Sequence, residues 1–170
     1  MSKTRLNILY FKLMLICSSG LSILAQNSIN DAIKKYNSGS IPYIHVEELK
    51  LQLQHNNGLI LLDTRSFEEY EVSYLKNALW IGYKNFNIDK VKNIDKNAKI
   101  VVYCSVGVRS EKIGEKLKAL GFTNIKNLYG GIFSWINKGY PIYKNGKRTE
   151  KIHTYNKRWE KYITTGKKVN

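Results

Sequence analysis

At 170 residues the chain has the usual length of one domain, long enough for a single buried core but short for two. Hydrophobic residues make up 43% of it and aromatic residues 12%, with two prolines, which excludes a disordered or fibrous chain. The formal charge of +15 suits an anionic partner. The lysines are scattered, however, and accompany no nucleic-acid-binding motif, so we expect no nucleic-acid partner.

Residues 1–25 have the pattern of a signal peptide. Three basic residues flank or precede an uncharged apolar stretch, residues 13–24, that is too short to span a bilayer comfortably. The small residue Ala25 favours cleavage before Gln26, which predicts an exported protein in the periplasm of a bacterium. Two alternatives stay open: a lipoprotein signal at Cys17, and an uncleaved signal that anchors the chain in the membrane.

Cleavage of this segment would change the cysteine content of the chain. It would remove Cys17 and three positive charges, leaving a charge of +12 and Cys104 as the only cysteine. In a compartment where disulfides form, a lone thiol cannot close an internal bridge. A thiol kept for its chemistry is therefore favoured over a buried cysteine that only fills space.

The rest of the chain alternates between two kinds of pattern. Residues 26–40 are polar and predict an N-terminal arm, helical or a linker, before the domain proper at residues 41–143. Short apolar runs predict five strands, at residues 43–45, 59–62, 78–81, 99–103 and 123–128. Helical spacing predicts helices that begin at Val46, over 67–75, around Ile113 and Leu117, and around Trp135, with a partly helical segment at 86–94. The alternation predicts an α/β fold, a mostly parallel sheet with helices on both faces.

Residues 144–170 form a basic C-terminal tail with nine Lys or Arg against two Glu. Tyr155, Trp159, Tyr162 and Ile163 recur at a helical spacing, which predicts an amphipathic helix that packs back on the domain. The alternative is a tail that contacts a protein partner or a membrane surface.

Two polar or reactive residues, Asp63 and Cys104, follow predicted strands at the sheet edge where parallel sheets bind ligands. Cys104 opens a loop that leads into a helix, so its thiol should face backbone N–H groups and the positive helix end, which favour an anion. Gly107 allows a tight turn and Arg109 adds a positive charge. We therefore expect the pKa of the Cys104 thiol to lie below that of a free cysteine.

Three separated motifs, in order, resemble the signatures of the rhodanese-homology family over about residues 44–142. They are residues 61–65 with 68–70, the loop at 104–110, and a closing signature between 121 and 141. The resemblance implies a parallel five-stranded sheet flanked by helices. It also implies a ping-pong sulfurtransferase reaction, in which the cysteine takes sulfur from a donor such as thiosulfate and passes it to a nucleophilic acceptor.

The resemblance also assigns roles to residues. Cys104 would be the nucleophile and persulfide carrier, and Arg109 would orient an anionic donor. The anion would be cradled by the backbone of Ser105, Val106, Gly107, Val108 and Arg109. The partners would be a small sulfur-containing anion and a thiol or cyanide-type acceptor, for a protein that we expect to be a monomer. Ser105 stands where the family often has a basic residue, which leaves the physiological donor open.

Supporting roles fall to Asp63 and Arg65. Asp63 is expected to order neighbouring loops, and Arg65 to pair with Glu68 or Glu69. We expect no cofactor and no metal site, because the three histidines are far apart in the sequence and lie beside no second cysteine.

Two other functions compete with sulfur transfer as interpretations of this sequence. In the related phosphatase fold, an arginine stands six positions after the nucleophile, whereas here Arg109 stands five after Cys104 and Ser110 takes the sixth position. The smaller ring favours a sulfur atom over a phosphoryl group. The stronger rival is a non-catalytic rhodanese-like module that binds an exported partner, or carries sulfur for it, through the basic tail.

Overall fold

A parallel five-stranded sheet forms the centre of the computed structural model, which describes residues 29–55 and 58–170. The strands lie in the order β1-β5-β4-β2-β3, and every neighbouring pair is parallel. Their bounds are β1 Tyr43–Ile44, β2 Ile60–Asp63, β3 Leu79–Trp80, β4 Ile100–Tyr103 and β5 Ile125–Leu128. The predicted signal peptide, with Cys17, lies outside the described residues.

The helices cover both faces of this sheet. Residues 29–36 are helical (α1), and the further helices are α2 Val46–Gln54, α3 Phe67–Val72, α4 Val108–Ala119 and α5 Gly131–Asn137. A short 3-10 helix, Ile88–Lys90, lies in the segment predicted to be partly helical. Among residues 29–55 and 58–170, no helix is long and apolar enough to cross a membrane.

Alternation along the central strands explains the two-sided cover. Successive side chains of a strand point to opposite faces, so Leu61 and Val101 enter one core cluster while Leu62 and Val102 enter the other. The first cluster includes buried residues of α1, α2 and α5, and the second includes Ile113 and others of α4. The predicted α/β fold, a parallel five-stranded sheet with helices on both faces, is confirmed.

The C-terminal tail differs from its prediction. Residues 144–170 contain no α-helix, so the predicted amphipathic helix is wrong. Instead, two small sheets form, an antiparallel pair of β6 Ile142–Lys144 with β7 Lys147–Thr149, and a parallel pair of β8 Lys151–His153 with β9 Lys167–Val169. A 3-10 helix, Glu160–Tyr162, lies between β8 and β9. Of the side chains whose spacing suggested a helix, Tyr162 and Ile163 belong to the first core cluster and Trp159 packs against it, whereas Tyr155 is exposed.

A buried ion pair fixes the end of β2. Arg65 Nη2 lies 2.6 Å from Asp63 Oδ2, and both side chains are fully buried. Arg65 also donates to the Ser73 carbonyl oxygen at 2.5 Å. The predicted pairing of Arg65 with Glu68 or Glu69 is therefore wrong, because Arg65 points into the protein, where the nearer carboxylate is Asp63.

Removing one partner of this pair should destabilise the fold strongly. We expect Asp63→Ala to lower the free energy of unfolding by about 3–5 kcal/mol, because it leaves the Arg65 charge buried without its carboxylate. Denaturant unfolding would measure the loss. Asp89→Ala is the matched control: it removes an aspartate from an exposed pair with Lys92 and should cost less than about 1 kcal/mol. Equal losses in the two variants would contradict the role assigned to Asp63.

Candidate active site

Cys104 lies directly after β4, in a tight loop that leads into α4. Its side chain is buried, and its Sγ accepts a hydrogen bond from the Gly107 backbone N–H at 3.2 Å. Gly107 precedes the first residue of α4 and has a φ of 101°, in the left-handed region that favours glycine. A Cβ at this position would also lie 3.2 Å from the Leu128 carbonyl oxygen. The turn that brings the Gly107 N–H to the thiol therefore requires glycine.

The surroundings of the thiol favour its ionised form. Burial alone raises the pKa of Cys104, but the positive charge of Arg109 and hydrogen bonds from Ser110 and Gly107 outweigh it. The net effect lowers the pKa of the thiol below its ordinary value. Near neutral pH, a larger fraction of Cys104 than of a free cysteine is therefore the nucleophilic thiolate.

Arg109 is held in place by Glu69, on α3. Arg109 Nη1 lies 2.6 Å from Glu69 Oε2, and Nη2 lies 2.8 Å from Oε1, a bidentate arrangement. Ser105 completes the network, since its hydroxyl donates to Glu69 at 2.8 Å and accepts from Arg109 at 2.9 Å. Burial raises the pKa of Glu69, but the hydrogen bond and charge of Arg109 dominate together with smaller contributions, and lower it to about 2. Glu69 is therefore a carboxylate throughout the physiological pH range.

Neighbouring elements brace the loop from beneath. The Asn127 side chain, on β5, donates to the Gly107 carbonyl oxygen at 2.8 Å and accepts from the Ser110 hydroxyl at 2.8 Å. The first residues of α5 donate to the carbonyl oxygens of Cys104 and Ser105, at 2.9 and 3.0 Å. Gly131 permits this approach, because a Cβ there would overlap the Cys104 carbonyl oxygen. The loop is thus a fixed structure before any ligand arrives.

A cavity of about 240 Å³ opens above Cys104. It is lined by Tyr36, Cys104, Ser105, Val106, Val108, Arg109, Tyr155 and Trp159. The Tyr155 ring lies over the Arg109 guanidinium, 4.6 Å from ring centroid to Cζ. A larger cavity of about 790 Å³, between Ile136 and Gly166, includes neither a cysteine nor a histidine among its described lining residues. The Cys104 thiol therefore lies at the smaller of these two cavities.

The predicted site residues fall into two groups. Cys104, Ser105, Val106, Val108 and Arg109 line the cavity, and Gly107 turns the loop beneath it. Asp63 and Arg65 form the buried pair at the end of β2, where they support the sheet edge and the following turn.

Several residues of the site were not predicted to belong to it. Glu69, expected only as a possible partner of Arg65, is the third residue of α3 and completes a capping box that begins at Ser66, a pattern that predicts a helix start and nothing about Arg109. Asn127, Tyr36 and Tyr155 come from segments distant in the sequence, and no local pattern links them to Cys104. No group of three or more His, Cys, Asp or Glu side chains in the described part of the chain could hold a metal ion.

Comparisons with known proteins agree with this geometry. The family model of the rhodanese-like domain matches residues 45–138. A tRNA uridine(34) hydroxylase of Legionella pneumophila (strain Corby) is 39% identical over 106 residues, which are 59% of this chain and 41% of that protein. The chain thus spans less than half the length of this curated relative.

Solved structures show the same architecture. A rhodanese-like domain protein from Staphylococcus aureus is 32% identical, with a TM-score of 0.51 over 56% of this chain and 91% of that one. A protein from Bacillus halodurans is 25% identical, with a TM-score of 0.57 over 69% of this chain and 87% of that one. With a family model that covers more than half of its length, the chain belongs to the rhodanese-like domain family.

Proposed function

We propose that this protein is a sulfurtransferase that carries a sulfane sulfur atom on Cys104 as a persulfide. The observation that supports it is the setting of the thiol, which faces a backbone N–H, a fixed guanidinium and an open cavity. A persulfide is an anion like the thiolate, so the same groups stabilise the negative charge on Cys104 both before and after it receives the sulfur atom. Rhodanese-like family membership supports the same chemistry.

The proposed reaction has two steps, here written with thiosulfate as donor. The Cys104 thiolate attacks the outer sulfur of thiosulfate, the S–S bond breaks, and its electron pair leaves with sulfite. Cys104 keeps the sulfur as a persulfide anion. Cyanide or a thiolate then attacks the terminal sulfur and takes it as thiocyanate or as a new persulfide, and the electron pair of the broken bond returns to Cys104. Neither step needs an external oxidant or reductant.

We favour sulfur transfer over tRNA hydroxylation, the activity for which the Legionella relative is named. That protein is named a tRNA uridine(34) hydroxylase, and this chain spans 41% of it. The part of the chain that matches the family model holds a thiol in an anion-stabilising loop, which suits the transfer of sulfur.

A second candidate function is a sulfur-carrying module that docks on a partner protein and does not turn over by itself. All nine Lys and Arg side chains of residues 144–170 are exposed, which gives the tail a positive surface that suits an acidic partner. The two functions differ in a measurable quantity, the number of sulfur atoms that each protein molecule transfers.

Loading of Cys104 can be measured directly by intact mass. After incubation with thiosulfate the full chain should gain the mass of one sulfur atom, and it should lose it on addition of cyanide. Cys104→Ser should gain nothing, because it removes the nucleophile. Cys17→Ser is the matched control. It removes the other cysteine and leaves Cys104 in place, so this variant should gain one sulfur atom like the original chain.

The same reaction separates turnover from carriage. With thiosulfate and cyanide in excess, a sulfurtransferase releases many thiocyanate ions for each protein molecule, whereas a stoichiometric carrier releases no more than one. If the mass of the chain never changes with thiosulfate or with an organic sulfur donor, the proposal of a Cys104 persulfide fails.

The pH dependence of Cys104 alkylation tests the loop. The rate of alkylation should rise with pH, because only the thiolate reacts. The midpoint of this rise should lie below about 8.5, the pKa of a free cysteine. Arg109→Gln should move the midpoint to higher pH, since it removes the positive charge that lowers the pKa of Cys104. Lys112→Gln removes a charge from the same helix, but its side chain is exposed and paired with Glu115, and the midpoint should stay in place. An equal shift in both variants would mean that the overall charge of the protein, and not Arg109, sets the acidity of the thiol.

A further inference from the structure

The cavity above Cys104 has an aromatic wall that is not part of the matched domain. The wall consists of Tyr36, near the end of α1, and Tyr155 and Trp159, which follow β8; we call these three residues the aromatic cover. All three lie outside residues 45–138, the part that matches the family model. The cover is therefore contributed by the segments on either side of the matched domain.

The fold holds the aromatic cover in a defined position. Parallel neighbouring strands need a crossover, and the chain between β8 and β9 makes one that carries both Tyr155 and Trp159. Tyr155 has a φ of 69°, a strained value for a residue with a side chain, and its N–H donates to His153 Nδ1 at 2.9 Å. Trp159 packs against the first core cluster and lies 5.1 Å, between ring centroids, from the buried Tyr162. The Trp159 ring and the Tyr155 backbone are thus held by contacts outside the cavity, while the Tyr155 ring rests on Arg109.

The charges around the cavity argue against a small inorganic dianion as the preferred ligand. Arg109 is the one charged side chain among the described residues that line the cavity. Its guanidinium is paired with Glu69 through both terminal nitrogens and is covered by the Tyr155 ring. The remaining wall is mostly apolar, with Val106, Val108 and the other two aromatic rings. Entering such a space is favourable for an apolar group, because its surface is removed from water. It is unfavourable for a second negative charge, which would lose its hydration without gaining a free cation.

The size of the cavity fits an aromatic group. A cavity of about 150 Å³ is known to hold benzene, and the space above Cys104 is about 240 Å³. It can therefore take one ring together with the sulfur-bearing group that must reach Sγ.

We infer that the aromatic cover selects an organic sulfur donor, an anion in which a terminal sulfane sulfur is attached to a group bearing an aromatic or other bulky apolar substituent. This inference rests on the proposed function and names its substrate class. For a thiosulfonate, the Cys104 thiolate attacks the terminal sulfur, the S–S bond breaks, and its electron pair leaves with the organic sulfinate. The organic group stays among Tyr36, Tyr155 and Trp159 until the sulfinate departs.

Two thiosulfonates with the same charge and the same reacting group test this selection. Benzenethiosulfonate carries a phenyl ring where methanethiosulfonate carries a methyl group. The rate of persulfide formation on Cys104 is measured for each by intact mass, and the ratio of the two rates is divided by the same ratio for free cysteine. We expect the corrected ratio to favour the phenyl donor by about tenfold, as the filling of an apolar pocket does for an enzyme substrate.

Substitutions in the aromatic cover should abolish this preference. Trp159→Ala and Tyr36→Ala should each bring the corrected ratio several-fold closer to one. Tyr36 is 43% exposed, so its replacement should leave the fold intact even if Trp159→Ala proves unstable in a thermal unfolding control. Tyr143→Ala is the matched aromatic control: Tyr143 lies in β6 and lines none of the cavities next to Cys104, so the ratio should stay as in the original chain.

The possible failures can be told apart. A corrected ratio near one in the original chain, or a ratio that neither Trp159→Ala nor Tyr36→Ala changes, overturns the selection by the aromatic cover while sulfur loading stands. If none of the donors, thiosulfate included, loads sulfur on Cys104, the proposed sulfurtransferase function fails and the inference fails with it.

Discussion

The ion pair between Glu69 and Arg109 joins α3, α4 and the loop between β4 and α4 at the site. Glu69 comes from α3, Arg109 from the first turn of α4, and Ser105 connects both to the loop that begins at Cys104. Both charged groups are largely withdrawn from water, with side-chain exposures of 1% for Glu69 and 17% for Arg109. A buried pair of this kind adds little net stability compared with apolar packing, but it fixes geometry, because either charge alone would be costly to bury. Its value here lies in holding one cation at a set position beside the thiol.

The charge balance around Cys104 follows from this arrangement. Asp63 neutralises Arg65 and Glu69 neutralises Arg109, so each buried cation already has a carboxylate. The thiolate therefore depends on a guanidinium whose charge is shared, together with hydrogen bonds from Ser110 and Gly107. Hydrogen bonds from fixed backbone groups stabilise a single negative charge that lies close to them. These hydrogen bonds stabilise a ligand with two negative charges much less, because such a ligand lies farther out in the cavity. The nearest cation there is already paired with a carboxylate.

The sequence predicted the centre of the fold because its signals there are local. The apolar runs that became β2 and β4 are continuous, as expected for strands covered on both faces, and Cys104 follows one of them directly. A glycine marked the tight turn at Gly107. These features depend on residues a few positions apart, and so they were visible in the sequence.

The parts that the sequence missed depend on distant contacts. Arg65 lies within a few residues of three carboxylates, and only the direction in which its buried side chain points selects Asp63 over Glu68 and Glu69. The tail has the apolar spacing of a helix, yet the pairing of β8 with β9 and the bond from Thr154 to Asn170 hold it extended at both ends. Between those ends, a 3-10 turn is enough to bury Tyr162 and Ile163. Tertiary contacts decided the conformation here, as they commonly do where local preference is weak.

If the chain is a sulfurtransferase, as we propose, reaction and selection are carried by different parts of it. The matched domain, residues 45–138, supplies the thiol, the turn at Gly107 and the Glu69–Arg109 pair, which together suit any donor with a transferable sulfur. The flanking segments supply the aromatic rings that limit what can approach. Because the Tyr155 ring lies against the Arg109 guanidinium and both line the cavity, the same ring partly covers the cation and offers an apolar surface to a ligand. On this proposal, a change in the flanking segments alters which donor is used while the loop around Cys104 stays the same.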